Sequence, residues 1–226
     1  MKYIFIFFLV TSEFLFSLDF GNALQKFITY YGEYGYNKDG YITIYGNVKV
    51  GSDAKDKITE GFGCSVFASI MLLKMKYGEN WLEQHKKIWQ ELHSSYKNIS
   101  QEEEKNLPDE DQGRQLHQKF GCGIAKYFNL QKALYCKYKD GKRLEVHGKT
   151  NLNQLYFFDF RKNSEGHVGF LKNTMEGKKT ITTMWHYSKD NPNKGPSINQ
   201  LEEWFKTSLY SKGEATMELY EVSFPR

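Results

Sequence analysis

The chain has 226 residues, enough for one domain with a full core. With 40% apolar residues, 17 Phe and 16 Tyr, its composition excludes a wholly disordered or low-complexity polymer. A formal net charge of +4, scattered along the chain, is too weak to mark a nucleic-acid binder.

Met1-Lys2, the apolar run from Tyr3 to Val10, and Phe14 to Phe16 ahead of the small Ser17 predict a secretory signal peptide over residues 1–17. A buried first strand or helix is the alternative. A membrane span needs about 20 apolar residues, and Glu13 interrupts this run, so no stable membrane insertion is expected. The remaining chain, 18–226, is then expected to be secreted, or periplasmic and associated with the cell envelope.

Residues 22–31 read as a helix, and residues 36–50 as a hairpin with Asp39-Gly40 as a turn signal. Residues 51–63 form a polar, glycine-bounded loop. Residues 64–77 are apolar on nearly every side (Val66, Phe67, Ile70, Met71, Leu72, Leu73, Met75), which predicts a helix buried at the centre of the domain. An amphipathic helix over 79–96 follows, then a charged loop over 98–112 with Pro108, then a third helix over 113–128.

From Ala133 the pattern changes to strands. Residues 133–138 and 143–147 flank the turn signal Lys139-Asp140-Gly141, and further strands are expected over 155–160, 167–172 and 179–187. Residues 197–209 read as a helix capped by Ser197, and 216–224 as a closing strand. Helices first and an antiparallel sheet afterwards define an α+β fold.

Three cysteines are present: Cys64, Cys122 and Cys136. In an oxidising compartment an odd count implies one pair and one free thiol. Cys122 and Cys136 are the closer pair, which leaves Cys64 as the reactive thiol; three free thiols would also fit a weakly oxidising setting.

Cys64 opens the apolar helix after Gly61-Phe62-Gly63. A thiol there faces the positive end of the helix dipole and unpaired backbone N–H groups, which favour the thiolate and can hold an oxyanion. Taken alone, Cys64 suits a buried thiol starting a core helix equally well. His167 begins one strand and His186 ends the next, so a hairpin would set the two imidazoles side by side. One ring could take the thiol proton while the other orients it. His85 and His93 lie two turns apart, off the spacing of a zinc pair, and Cys122 and Cys136 lack the paired spacing of a zinc ribbon. No phosphate-binding glycine loop is present. No metal and no cofactor are therefore expected.

Three segments, Cys64-Ser65, His167-Val168-Gly169 after Phe157-Phe158, and Trp185-His186-Tyr187, together resemble the NlpC-type peptidases, papain-like cysteine hydrolases of bacterial cell walls. The resemblance implies a papain-like fold in which the nucleophile helix packs on an antiparallel sheet. It implies Cys64 as nucleophile, His167 as general base and His186 as orienting residue. It also implies a peptide substrate, the stem peptide of peptidoglycan. Gly63 stands where the family usually has Asp, and Val66 where it usually has a small residue. The stretch from nucleophile to base is longer than in the family, so about 79–143 would be an insertion. A non-catalytic envelope-binding module on the same fold, or a secreted effector or transferase using the same triad, are the alternatives.

Overall fold

The computed structural model describes residues 19–31, 41–44, 48–51, 63–81, 125, 128–163, 165–188 and 195–224. Helix α1 covers Phe20–Tyr31, and Asp19 starts it by accepting from the Asn22 N–H at 3.0 Å. Strands β1 (Tyr41–Ile44) and β2 (Val48–Gly51) pair antiparallel as the expected hairpin. Helix α2 runs Cys64–Tyr77, between Gly63 and Gly78, as the apolar run predicts. The expected signal peptide, the turn at Asp39-Gly40 and the loop at 98–112 lie outside the described residues, as does nearly all of the helices expected over 79–96 and 113–128. Among the described residues, no helix is long and apolar enough to cross a membrane.

The rest is a seven-stranded antiparallel sheet with strand order β4-β3-β9-β5-β6-β7-β8, so the fold is α+β. Its strands are β3 (Gln131–Lys139), β4 (Lys142–Gly148), β5 (Leu155–Lys162), β6 (Glu165–Glu176), β7 (Lys179–His186), β8 (Ser197–Gln200) and β9 (Glu214–Glu221). A short helix, α3 (Leu201–Thr207), lies between β8 and β9. The expected helix over 197–209 is corrected here, because its first four residues form β8 and Ser197 caps nothing. The polar Ser-Ile-Asn-Gln stretch pairs with the edge of β7, satisfying backbone groups that would otherwise be left open.

Strand alternation sends successive side chains to opposite faces, and each face has its own core. On one face Phe27 of α1 and Phe67 of α2 pack with Phe157, Phe170 and Tyr187, all fully buried. Removing each such aromatic side chain from water contributes on the order of 2 kcal/mol. On the other face Tyr156, Phe158, Phe160, Leu171, Met184 and Met217 are covered by Trp204 and Phe205 of α3 and by Tyr210. Cys136 belongs to this second core. It is fully buried between Leu134 and Tyr138 and carries a free thiol, so the expected Cys122–Cys136 disulfide is not formed. Period-two alternation turns Cys136 inward onto the sheet core, and burial pushes its thiol above the ordinary value.

Asp159, opposite Val168 on the α2 face, is buried, and Arg161 grips its carboxylate through Nε (3.0 Å) and Nη2 (2.8 Å). Burial pushes Asp159 up to about 6, against the pull of Arg161. The native state therefore holds this proton more tightly than the unfolded chain, whose carboxyl titrates near 3.8. The associated stability is complete below that value and is lost as pH rises through about 6. Denaturant unfolding at pH 4 and pH 7 is expected to show wild type losing up to about 3 kcal/mol more over this interval than Asp159→Asn. Nearby Glu218 acts in the opposite sense: burial raises it, but hydrogen bonds from Lys132 and Tyr220 hold it below the usual value. Comparing wild type with the variant isolates the Asp159 contribution.

Candidate active site

β5 pairs with β6 in the register Phe158↔Gly169 and Phe160↔His167, which places the His167 side chain on the α3 face. β7 pairs with β6 only from Phe170↔Trp185 onward. Among the described residues, Glu165 to Gly169 have a ladder partner in β5 alone. The sequence places Gly at 169 for a steric reason. A Cβ there would stand 2.5 Å from the Trp185 carbonyl oxygen and 2.9 Å from both His186 Cβ and Phe158 Cε1.

The missing side chain lets the two imidazoles meet. His167 Nε2 and His186 Nδ1 are 2.7 Å apart, with the rings nearly perpendicular at 87°. His186 is fully buried and His167 is 9% exposed. His186 Nε2 continues the chain to Asn199 Oδ1 of β8, 2.9 Å away. Trp204 of α3 stacks on the His167 ring (5.3 Å, 23°) and meets the His186 ring edge-on (5.4 Å, 72°). Phe158 closes the other side of His167 at 5.8 Å. The hydroxyl of Ser197, the ladder partner of His186, is buried and makes no hydrogen bond among the described residues.

Cys64 is the first residue of α2 and is 3% exposed. The N-cap residue Gly63, extended at φ −80° and ψ 162°, has no side chain to cap the helix; its carbonyl accepts from Phe67 N–H at 3.1 Å. The first-turn N–H groups point toward the Cys64 end, where an anion is favoured. Cys64 shares its buried cluster with Val168 and Tyr187, the residues that follow the two histidines in the chain. The structure thus joins His167 directly to His186. It places Cys64 in the cluster on the α2 face, while the imidazoles lie buried on the α3 face.

Sequence reasoning did not find Asn199 or Trp204. Asn199 lies in the segment read as helix, where its alignment with His186 cannot be seen. Once β8 is paired, Asn199 opposite Met184 shares the face of His186. A cavity of about 430 Å³ lies between the β3–β4 hairpin, β7 and α3, with Arg143, Lys179 and Lys206 in its wall. None of Cys64, His167 and His186 lines it, so it is separate from the histidine chain. Among the described residues, no cluster of His, Cys, Asp and Glu is arranged to hold a metal ion.

No family model matches the chain, and no curated protein or solved structure matches it.

Proposed function

We propose that this protein is a secreted cysteine hydrolase of papain-like, NlpC-type architecture that cleaves an amide bond in the stem peptides of peptidoglycan. The observation that carries the reading is the buried, bonded pair His167–His186. One further feature supports it: a thiol as the first residue of a helix whose N-cap is Gly63. A cation or metal is not needed for this chemistry, since the dipole end and the imidazole supply the charge.

In this mechanism Cys64 Sγ gives its proton to His167 Nδ1, a transfer that requires the thiol on the α2 face to reach the imidazole on the α3 face around the end of the sheet. The thiolate attacks the scissile carbonyl carbon, and the carbonyl electron pair moves to oxygen. Backbone N–H groups at the start of α2 hold that oxyanion. The C–N bond then breaks as His167 returns the proton to the departing amine, leaving a thioester on Cys64. Water adds to the thioester with His167 again as base, and the acid and the free thiol are released. His186 keeps the His167 ring in position throughout.

Incubating the protein with purified sacculi and soluble muropeptides, followed by mass spectrometry, tests this reading. The expected result is paired amine and carboxyl products, with one water added per cleavage. Tight binding to sacculi with no release of fragments overturns the hydrolase reading in favour of an envelope-binding module. Cleavage of unrelated peptides but not of muropeptides overturns the substrate and points to a secreted effector.

A further inference from the structure

Arg143 and Lys179 are exposed cations, and among the described residues neither forms an ion pair. Both stand in the wall of the cavity of about 430 Å³ between the β3–β4 hairpin, β7 and α3. Lys206 stands there too, bonded to Glu202 at 3.0 Å. Three cations against one carboxylate leave this wall positive. The phenol beside Arg143 adds no negative charge. Arg143 Cζ lies over the Tyr138 ring at 5.9 Å, and burial pushes Tyr138 up to about 12, so its hydroxyl stays neutral. Glu202 is held below its usual value by Lys206 first and then by Lys179, so its single charge already answers two lysines.

The buried side of the same cavity is aromatic. Phe160 is fully buried and Tyr138 nearly so. Phe205 of α3 packs on both, its ring centroid 4.7 Å from that of Tyr138 and 5.9 Å from that of Phe160. A concave site of several hundred Å³, with apolar walls and a few polar groups, suits a small molecule rather than a macromolecule. An unpaired guanidinium in its wall offers a planar fork to a carboxylate or phosphate. We propose that this cavity is a binding site for a small organic anion, its acidic group taken by the cationic wall and its apolar body laid on Phe160 and Phe205. The inference goes beyond the hydrolase reading and does not rest on it, since none of Cys64, His167 and His186 lines the cavity.

The probe for the test is naphthoate, a fused aromatic ring system bearing one carboxylate, titrated into isotope-labelled full chain at neutral pH. The expected result is saturable one-to-one binding, with amide NMR shifts grouped at residues 179–182 and 200–206. Naphthamide, which has the shape without the charge, is expected to bind at least about ten-fold more weakly. The double variant Arg143→Gln with Lys179→Gln should lower naphthoate affinity by a similar factor. Both positions are exposed, so the variant keeps the fold, which circular dichroism checks. Inorganic phosphate, which lacks the apolar body, should also bind at least about ten-fold more weakly than naphthoate. Equal affinity for naphthoate and naphthamide, or undiminished binding by the double variant, overturns the inference. Shifts scattered over the surface, or phosphate bound as tightly as naphthoate, overturn it as well. Muropeptide turnover does not enter the titration, so either reading can fail while the other stands.

Discussion

Cys64→Ala and His167→Ala are each expected to lower turnover of a muropeptide at least about 10³-fold, while His186→Ala leaves a measurable remainder. The difference follows from what each atom does. Without Cys64 Sγ no thioester forms, and without His167 no group removes the thiol proton or protonates the leaving amine. His186 touches neither substrate nor thiol in this scheme; it holds the His167 ring through the 2.7 Å bond. Loss of that bond leaves the ring confined between Trp204 and Phe158, so part of the population stays competent. His186→Asn or Gln should retain more than His186→Ala, since an amide can still accept from His167. Turnover is compared per folded molecule, with circular dichroism as the check. Full activity in His167→Ala refutes the triad, and equal losses in both histidine variants refute the assigned division between base and orienter.

Gly169→Ala is expected to be strongly destabilising to the buried part of the sheet. The new Cβ would lie 2.5 Å from a backbone carbonyl oxygen, that of Trp185, and 2.9 Å from His186 Cβ. Neither atom is the free end of a flexible side chain, so relief requires β7 to move away from β6. Overpacking costs typically 1–3 kcal/mol and occasionally more, and a clash with backbone at this distance belongs at or above the top of that range. Displacing β7 also pulls His186 away from His167. Two measurements check this: the urea midpoint should fall sharply, and the His167–His186 bond should disappear from the imidazole NMR spectrum even under conditions where the variant stays folded. Wild-type stability together with an intact bond would show that the sheet end is looser than the packing implies.

Much of this arrangement can be read from the chain. Helix α2 begins and ends where the apolar run meets Gly63 and Gly78, because these residues interrupt a pattern that is otherwise helical on all sides. The strands over β3 to β7 follow from alternation and from turns such as Asp140-Gly141, both of which adopt positive φ. β8 could not be read in this way. Leu201, Trp204 and Phe205 have helical spacing, and that signal extends backwards over polar residues with little preference of their own. Only pairing with β7, a tertiary event, makes Ser197–Gln200 a strand. Asn199 was hidden for the same reason, and the stacking of Trp204 on His167 depends on where α3 lands on the sheet. Counting cysteines misled for a different reason. The inward-facing period of Leu134, Cys136 and Tyr138 is visible in the sequence, and it buries Cys136 in the core rather than leaving it at a surface available to Cys122.

The β6–β7 hairpin turns through Gly177 and Lys178, with Glu176 paired to Lys179 and Gly177 at a positive φ of 62°. Because side chains alternate with a period of two, this turn works as a ruler for chemistry at the far end of the ladder. A one-residue slip of β7 against β6 would turn His186 from the α3 face to the α2 face. His167, fixed by its own pairing with β5, would stay where it is. The imidazole pair can thus be dismantled by a slip of register between β6 and β7, with both histidines still in the sequence. A chain that keeps Cys64, His167 and His186 therefore keeps the site only while the spacing between its strands is kept as well.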